Sequence, residues 1–290
     1  MLKALSGLVA AWMLLAGATA AAQNEPERTG GPYVPTPQVV VDQMLRVANV
    51  GASDYVMDLG SGDGVIVLTA AQQYKARGMG VDIDPALVKF ANQEAARLGI
   101  ADRATFQVMD VYKADLSRAS VVTLYLLPEM MINLRPKIYL ELKPGTRVVS
   151  HDYHFDDWRP DDSVTFDVPE KEKINGTPRA TVYLWIIPAR IGGRWTVQVE
   201  GGERYDVTWR QSYQSVEATA QSAGGTLTVQ DAVLRGEQLE FALTSRGARQ
   251  RFTGRVNGDA MQGTVDLGRG KTARWTAGRA GSRPKNASVQ

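Results

Sequence analysis

Apolar and polar positions follow two different rhythms along the first two thirds of the chain. Short apolar runs predict buried β-strands, and apolar residues spaced three or four positions apart predict amphipathic helices between them. The predicted strands cover residues 55–59, 78–81, 105–109, 120–124 and 146–150. Because strands and helices alternate, the pattern predicts an α/β fold with a mostly parallel, doubly wound sheet that has helices on both faces.

One predicted helix has a defined beginning, end and inner face. Asp84 is a favoured capping residue, Pro85 suits the first helical position, and Gly99 ends the helix. The residues predicted to share its core-facing side are Leu87, Phe90, Ala91, Ala95 and Leu98. We therefore assign this apolar face to packing and not to function.

Beyond Pro188 the pattern changes to short segments in which apolar and polar residues alternate. Residues 195–199, 205–209 and 238–243 are examples, with glycines between them. This pattern predicts a smaller antiparallel all-β domain, a barrel or sandwich of about eight strands. Its aromatic residues are predicted to fill the interior, the alternative being a barrel mouth for an apolar ligand or partner. They are Trp195, Tyr205, Trp209, Phe241, Phe252 and Trp275.

Composition and the N-terminal pattern bound the protein class. With 290 residues, 44% hydrophobic and 22% charged, the chain is neither disordered nor a multi-span membrane protein. Residues 1–22 resemble a signal peptide, with Lys3, an apolar run and small residues for cleavage, although an uncleaved anchor or a misplaced start codon are alternatives. Export predicts a periplasmic or otherwise extracytoplasmic protein without a stable membrane span. The absence of cysteine neither supports nor excludes that compartment.

The predicted organisation has five parts. A signal peptide at 1–22 and a lead-in segment at 23–37 precede an α/β domain at 38–190, an antiparallel β domain at 191–279 and a flexible tail at 280–290. The pair Gly192 and Gly193 marks the junction between the domains. The excess of basic residues lies after residue 190 but is spread over many segments, which favours a solvated surface over a nucleic-acid groove. We expect no nucleic-acid partner, and the sequence does not indicate an oligomeric state.

The most informative segment joins the first strand to a loop of alternate glycines. Gly60, Gly62 and Gly64 follow the strand and precede a helix, a pattern typical of a nucleotide-cofactor loop, because glycine lets the backbone turn tightly and approach a ligand. Asp82 ends the second strand at the spacing that suits ribose hydroxyls. Val65 stands where a nicotinamide fingerprint needs its third glycine, so an NAD-dependent oxidoreductase is disfavoured.

The motifs Asp-Leu-Gly-Ser-Gly-Asp-Gly at 58–64 and Gly-Val-Asp-Ile-Asp-Pro at 80–85 resemble those of class I, seven-stranded S-adenosylmethionine-dependent methyltransferases. Residues 33–37, a helix at 38–47 and the segments 115–117, 124–128 and 142–146 are similar to the lysine-methyltransferase branch, which includes archaeal enzymes and those that act on the c-subunit of ATP synthase. The resemblance covers about residues 30–190. It implies a Rossmann-like sheet closed by an antiparallel hairpin at 163–168 and 180–187, with S-adenosylmethionine as cofactor.

The resemblance also implies which residues contact the cofactor. The glycine loop would admit the methionine part, with Asp58 ordering the turn or meeting the ammonium, and Asp82 would hold the ribose. A single Asp at a strand end is more often a turn or cap residue, but three at successive strand ends beside a glycine loop favour ligand contact. The full predicted set is Tyr33, Thr36, Asp58, Gly60, Ser61, Gly62, Gly64, Asp82, Ile83 and Asp110.

The acceptor side is less defined. Residues 123–128 lack the Asn/Asp-Pro-Pro-Tyr/Phe motif of enzymes that methylate planar amides or nucleobase amines, which leaves a lysine amine or a small molecule. Tyr125, Glu129 and Tyr153 are candidates for the acceptor pocket. His151 and His154 are the only histidines, and their spacing in a loop does not predict a metal site. His151 is kept as a candidate for shaping or deprotonating the acceptor, ordinary loop hydrogen bonding being the alternative.

Two functions of different class follow. The first is an S-adenosylmethionine-dependent methyltransferase that transfers methyl by in-line displacement, with a protein lysine amine as the expected acceptor. The alternative is a non-catalytic exported protein that binds this cofactor or another nucleoside, while its β domain engages a cell-envelope partner. Export motivates the alternative, because the methyl donor is made in the cytosol.

Overall fold

The computed structural model describes residues 31–245 and 247–281. The predicted signal peptide, the first part of the lead-in and residues 282–290 of the predicted tail lie outside the described residues. None of the helices in the described part of the chain is long and apolar enough to cross a membrane.

The first sheet has seven strands in the order β3-β2-β1-β4-β5-β7-β6. Strands β1 to β5 are parallel, and β7 runs antiparallel between β5 and β6. The strands are β1 Tyr55–Leu59, β2 Arg77–Asp82, β3 Ala104–Val108, β4 Val121–Leu124, β5 Arg147–His151, β6 Asp162–Asp167 and β7 Arg179–Ile186. The prediction of a doubly wound seven-stranded sheet with a closing hairpin is confirmed.

Helices cover both faces of this sheet because successive strand residues point to opposite sides. Val56 packs with α1 and α2, whereas its neighbour Met57 packs with α4 on the other face. Helix α3 packs on the side of α2, against β3. The helices are α1 Gln38–Val47, α2 Val65–Tyr74, α3 Pro85–Arg97, α4 Pro128–Glu141 and α5 Glu172–Asn175, with 3₁₀ turns at Val111–Lys113 and Pro169–Lys171.

Helix α3 confirms its predicted ends and only part of its predicted inner face, since Ala91 and Ala95 are buried but Leu87 and Leu98 are only partly buried. The Asp84 carboxylate accepts from the N–H of Ala86 at 2.8 Å, and Gly99 follows the helix at φ +69°. The buried residues of the helix are Val88, Ala91 and Ala95, which are spaced by three and four positions. Phe90 is 50% exposed, because two residues correspond to about 200° around a helix and turn it away from Val88.

The second sheet contains nine antiparallel strands in the order β11-β10-β9-β8-β16-β15-β14-β13-β12. They are β8 Gly193–Val199, β9 Arg204–Ser212, β10 Ser215–Ser222, β11 Gly225–Thr228, β12 Gln230–Arg235, β13 Gln238–Ser245, β14 Ala248–Asn257, β15 Ala260–Gly268 and β16 Lys271–Arg279. Only Val229 separates the edge strands β11 and β12, so the sheet curls into a nearly closed barrel.

The barrel confirms the predicted antiparallel architecture, with one strand more than the expected eight. Strand β11 has only four residues, too few for alternation to reveal it. All six aromatic residues predicted to fill the interior are buried there. The chain passes from the last strand of the first sheet to the first strand of the barrel through residues 187–192. The exact domain limits stay a prediction.

Candidate functional site

A cleft of about 930 Å³, part of it open to solvent, lies beyond the carboxyl ends of β1, β2 and β4. Ligands bind at this edge in open α/β sheets, where the strand order reverses. Ten of the residues predicted to contact cofactor or acceptor line it: Tyr33, Thr36, Asp58, Gly60, Ser61, Gly62, Asp82, Ile83, Asp110 and Tyr125.

The glycine loop forms the floor of the cleft. The N–H groups of Gly60 and Ser61 both donate to the carbonyl of Val81, at 2.9 and 3.0 Å, which ties the loop to β2. Gly62 has φ +52°, and a Cβ there would lie 2.4 Å from the Tyr33 ring. Glycine is therefore required both by the left-handed backbone and by the aromatic ring of the lead-in segment that lies against it.

Asp82 joins the loop to the second strand. Its Oδ2 accepts from the N–H of Gly62 at 2.8 Å, and its Oδ1 accepts from the N–H of Asp84 at 2.9 Å. These two hydrogen bonds fix the orientation of the carboxylate at the carboxyl end of β2. The predicted convergence of the glycine loop and this acid is present in the structure.

Asp58 is buried under the loop. The pKa of its carboxyl is raised to about 7, mainly by burial and to a smaller extent by the charges of Asp82 and Asp63, while a hydrogen bond donated by Thr123 Oγ1 at 2.6 Å opposes the shift. Burial also raises the pKa of Tyr33, followed by its interaction with Asp63. In both residues burial is the larger cause of the raised pKa, and the neighbouring carboxylates add to it.

The cleft is electrostatically one-sided. Within the described part of the chain, its lining contains five aspartates and no lysine, arginine or histidine. The aspartates are Asp58, Asp63, Asp82, Asp84 and Asp110. Clefts lined by one sign of charge concentrate the opposite sign, so this one suits a ligand that carries positive charge.

Gly64 is a predicted cofactor residue that does not line the cleft. A Cβ at Gly64 would lie 2.6 Å from the Phe106 ring and 2.9 Å from Ala91 Cβ, so this glycine allows the start of α2 to pack closely on α3 and β3. Ser61 lines the cleft, but its buried Oγ lies on the Gly80 side and has no hydrogen-bond partner within the described residues.

Three of the four predicted acceptor-side residues lie outside the cleft lining. Glu129 is exposed in the first turn of α4, where the next two residues, Met130 and Met131, belong to the buried face of the helix. His151 is fully buried behind Tyr125, with ring centroids 4.0 Å apart, and Tyr153 stacks on Tyr125 at 6.3 Å. Of the four, Tyr125 lines the cleft, and His151 and Tyr153 contact the ring of Tyr125 without lining the cleft themselves.

His151 is neutral at physiological pH. Burial lowers the pKa of its imidazole to about 4, against the opposing charge of Asp152, and neither ring nitrogen has a hydrogen-bond partner among the described residues. His154 is exposed and its Nδ1 accepts from the N–H of Asp156 at 3.1 Å, as in the loop-bonding alternative. The described residues contain no group of three side chains that could hold a metal ion.

Comparison with known proteins identifies the family. The sequence profile of the ANTKMT methyltransferase domain matches residues 58–162. A protein-lysine N-methyltransferase of Saccharolobus islandicus (strain REY15A) is 39% identical over 157 residues, which cover 93% of that protein and 54% of this chain. The chain belongs to the lysine-methyltransferase branch of the class I S-adenosylmethionine-dependent methyltransferases.

Two further proteins are similar to this chain. An adenine nucleotide translocase lysine N-methyltransferase of Mus musculus is 34% identical over 135 residues, which are 47% of this chain and only 58% of that protein's length. A solved RNA methyltransferase of Salinibacter ruber, in complex with S-adenosyl-L-homocysteine, is 48% identical with a TM-score of 0.50. That match covers 55% of this chain and 96% of the other.

The residues present fit S-adenosylmethionine, the cofactor of this methyltransferase. The Asp82 carboxylate lines the cleft and would accept from ribose hydroxyls, and the carboxylates of the lining would complement an ammonium and a sulfonium. The glycine loop offers a surface that a Cβ would fill at Gly62. When bound, the cofactor supplies an electrophilic methyl group.

Eleven residues that line the cleft were not among the predicted site residues, and three of them bear on its chemistry. Asp63 lines the cleft between Gly62 and Gly64, and its position inside the loop was the signal that could have found it. Leu126 and Met130 complete the wall beside Tyr125. Apolar residues after a strand and in a first helical turn also serve as core, so their sequence carries no distinguishing signal.

Proposed function

We propose that this methyltransferase acts on a protein lysine, whose amine nitrogen attacks the cofactor methyl by in-line displacement. The observation that supports this acceptor most directly is the lining of the cleft, which among the described residues has five aspartates, an aromatic wall and no basic side chain. A lysine ammonium is attracted to such a lining and to the face of Tyr125.

Relatives point in two directions, and the charges favour one of them. Similar proteins are a protein-lysine N-methyltransferase and an RNA methyltransferase. RNA binding relies on basic groups that neutralise phosphates. A cleft lined by carboxylates disfavours a phosphate backbone and favours a cationic side chain.

The acceptor amine must lose its proton before it can attack. Desolvation lowers the pKa of an ammonium, and the apolar wall of Leu126, Met130 and Tyr125 supplies a surface from which water is excluded. In the proposal, Tyr125 contacts the acceptor directly and Tyr153 and His151 hold Tyr125 in position. A direct role for Glu129, on the exposed first turn of α4, stays a prediction.

We also propose that the protein acts outside the cytosol, because residues 1–22 have the features of a cleaved signal peptide. Mass spectrometry of the native N-terminus tests this proposal: a mature protein that begins near residue 23 supports export, and an intact Met1 contradicts it.

The acceptor is tested with tritium-labelled S-adenosylmethionine, purified protein and hypomethylated cell extract. Labelled material is divided between protease and ribonuclease treatment, and the protein fraction is hydrolysed and searched for methylated lysine. Asp82→Ala is the test variant because it removes the acceptor of the Gly62 N–H. Asp102→Ala is the matched control, since Asp102 has 72% of its side chain exposed.

We expect label in methyllysine, lost with Asp82→Ala and retained with Asp102→Ala. Label released by ribonuclease contradicts the lysine acceptor. Cofactor binding in calorimetry without any labelled product supports the non-catalytic alternative.

A further inference from the structure

The barrel contributes two residues to the core of the first sheet, at the turn between β9 and β10. Trp158 lies in the segment that follows β5 and is fully buried, yet its indole N–H donates to Gln214 Oε1 at 2.8 Å. Gln214 Nε2 donates in turn to the carbonyl of Arg159 at 2.6 Å. A buried indole N–H of the first sheet is thus satisfied by the barrel.

Tyr213 extends the same contact. Its ring stacks on Trp158, with centroids 4.7 Å apart and planes 7° apart, and meets Tyr139 of α4 edge-on at 5.2 Å. It packs against the hydrophobic cluster of the first sheet, and not against that of the barrel. Its φ of +53° is unusual for a tyrosine, which indicates that the surrounding contacts hold the turn in place.

The segment held by this turn, residues 152–158, leads directly to the acceptor side of the cleft. It begins after His151, contains Tyr153, and both rings contact Tyr125, which lines the cleft. Asp152 and Asp156 have φ of +62° and +57°, a conformation that aspartate tolerates, and Asp152 is held at its end of the segment by Thr181 and Lys171. Trp158 is the end of the segment that the barrel fixes.

We propose that the turn formed by Tyr213 and Gln214 is a brace through which the barrel positions the acceptor side of the methyltransferase site. The cofactor side does not depend on it, because the glycine loop and Asp82 are held by each other and by β2. The assignment of this side of the cleft to the methyl acceptor rests on the proposed function. The two relatives at 39% and 48% identity are almost fully covered by alignments to about half of this chain, so the brace is a feature that this chain adds to the shared fold.

The test compares variants of the full chain. Gln214→Ala removes both hydrogen bonds, and Tyr213→Asn removes the ring while keeping a residue that tolerates positive φ. Tyr213→Phe retains the stacked ring and removes only the long, exposed hydrogen bond that the hydroxyl donates to Asp157 Oδ1 at 3.4 Å, so it is the conservative control. Gln221→Ala is the matched control in the same sheet, because Gln221 is exposed and donates to Thr226 within the barrel.

Three readouts separate positioning from general loss of stability. Hydrogen exchange of residues 152–158 is measured without any acceptor, the Kd of S-adenosylmethionine by calorimetry, and methyl transfer to cell extract by label incorporation. Gln214→Ala leaves the buried indole N–H of Trp158 unpaired, and Tyr213→Asn removes the ring stacked on it, so in both variants we expect exchange of this segment to accelerate by about tenfold. Transfer falls by about the same factor and the cofactor Kd changes less than about twofold. Both controls behave as wild type.

The brace is refuted if exchange of residues 152–158 is unchanged in both variants, or if cofactor affinity falls in proportion to transfer. The exchange measurement needs no acceptor, so it stands even where lysine proves to be the wrong substrate. Faster exchange without labelled methyllysine therefore supports the brace and contradicts only the proposed acceptor.

Discussion

Asp58→Asn tests whether burial of the Asp58 carboxyl makes its ionisation in the folded protein unfavourable. The pKa of Asp58 rises from 3.8 to about 7 in the folded protein, because the carboxyl is buried beside Asp82 and Asp63. A carboxyl whose pKa is raised on folding stabilises the fold below its unfolded pKa, and this stability is lost as pH rises to the folded value. A rise of about three pKa units corresponds to about 4 kcal/mol.

Asparagine keeps an oxygen that can accept from Thr123 but does not titrate. The free energy of unfolding of Asp58→Asn, relative to that of wild type, is therefore expected to increase by about 4 kcal/mol between pH 4 and pH 8. Titrating groups that do not interact with Asp58, His151 among them, are present in both proteins and cancel in the comparison. At pH 8 the same variant is expected to bind S-adenosylmethionine more weakly, because it removes one negative charge from the lining of a cleft that suits a cationic ligand.

The assay is urea unfolding at pH 4, 6 and 8, without cofactor, followed by circular dichroism and tryptophan fluorescence. Asp102→Asn is the control, because this carboxylate is exposed and lies outside the lining of the cleft. Parallel stability curves for wild type and Asp58→Asn would refute the reasoning, since they would mean that the buried carboxyl has no desolvation cost.

Three further substitutions test other parts of the structure. Gly62→Ala places a Cβ 2.4 Å from the Tyr33 ring and is expected to weaken cofactor binding by at least about tenfold; calorimetry giving the wild-type Kd contradicts the described loop. His151→Phe removes two buried ring nitrogens that make no hydrogen bond among the described residues, although Nε2 lies 3.4 Å from Asp152 Oδ2, and is expected to leave stability equal or raise it by about 1–3 kcal/mol at pH 7. Because the pKa of His151 falls from 6.5 to about 4, wild type loses stability as pH falls between those values and this variant does not, which urea unfolding checks. Gly263→Ala brings a Cβ within 1.9 Å of the Thr253 carbonyl and is expected to destabilise the barrel by about 1–3 kcal/mol in thermal scans; an unchanged transition contradicts that packing.

The cofactor half of the site was predictable because its geometry is local in the sequence. Gly62 and Asp82 lie on adjacent strand ends, twenty residues apart, and the hydrogen bond between them follows from the parallel pairing of β1 with β2. Asp84 and Gly99 set the ends of α3 through contacts within a few residues. The inner face of the same helix was not predictable to that level, since Phe90 is apolar wherever it points.

The acceptor half depends on contacts between distant residues. Tyr125 meets His151 because β4 pairs with β5, which places Leu124 beside Ser150. Trp158 is fully buried, but its hydrogen-bond partner Gln214 lies 56 residues away in the barrel. A local pattern does not contain such a pair. Glu129 shows the converse, since its proximity in sequence to Tyr125 did not bring it into the cleft lining.

The two halves make opposite physical demands, and this explains their arrangement. Carboxylates hold a cationic cofactor but also stabilise the protonated form of an approaching amine, which cannot attack. The acceptor therefore has to reach the methyl group along a surface where desolvation outweighs attraction. Tyr125, Leu126 and Met130 form that surface at the end of β4, at one side of the aspartates. An aromatic ring can stabilise the cation on arrival while excluding the water that keeps it charged. In the proposed mechanism, His151 and Tyr153 set the orientation of this ring, so methyl transfer depends on the rigidity of the segment that follows His151. The barrel contact at Trp158 would then affect transfer because it holds the far end of that segment.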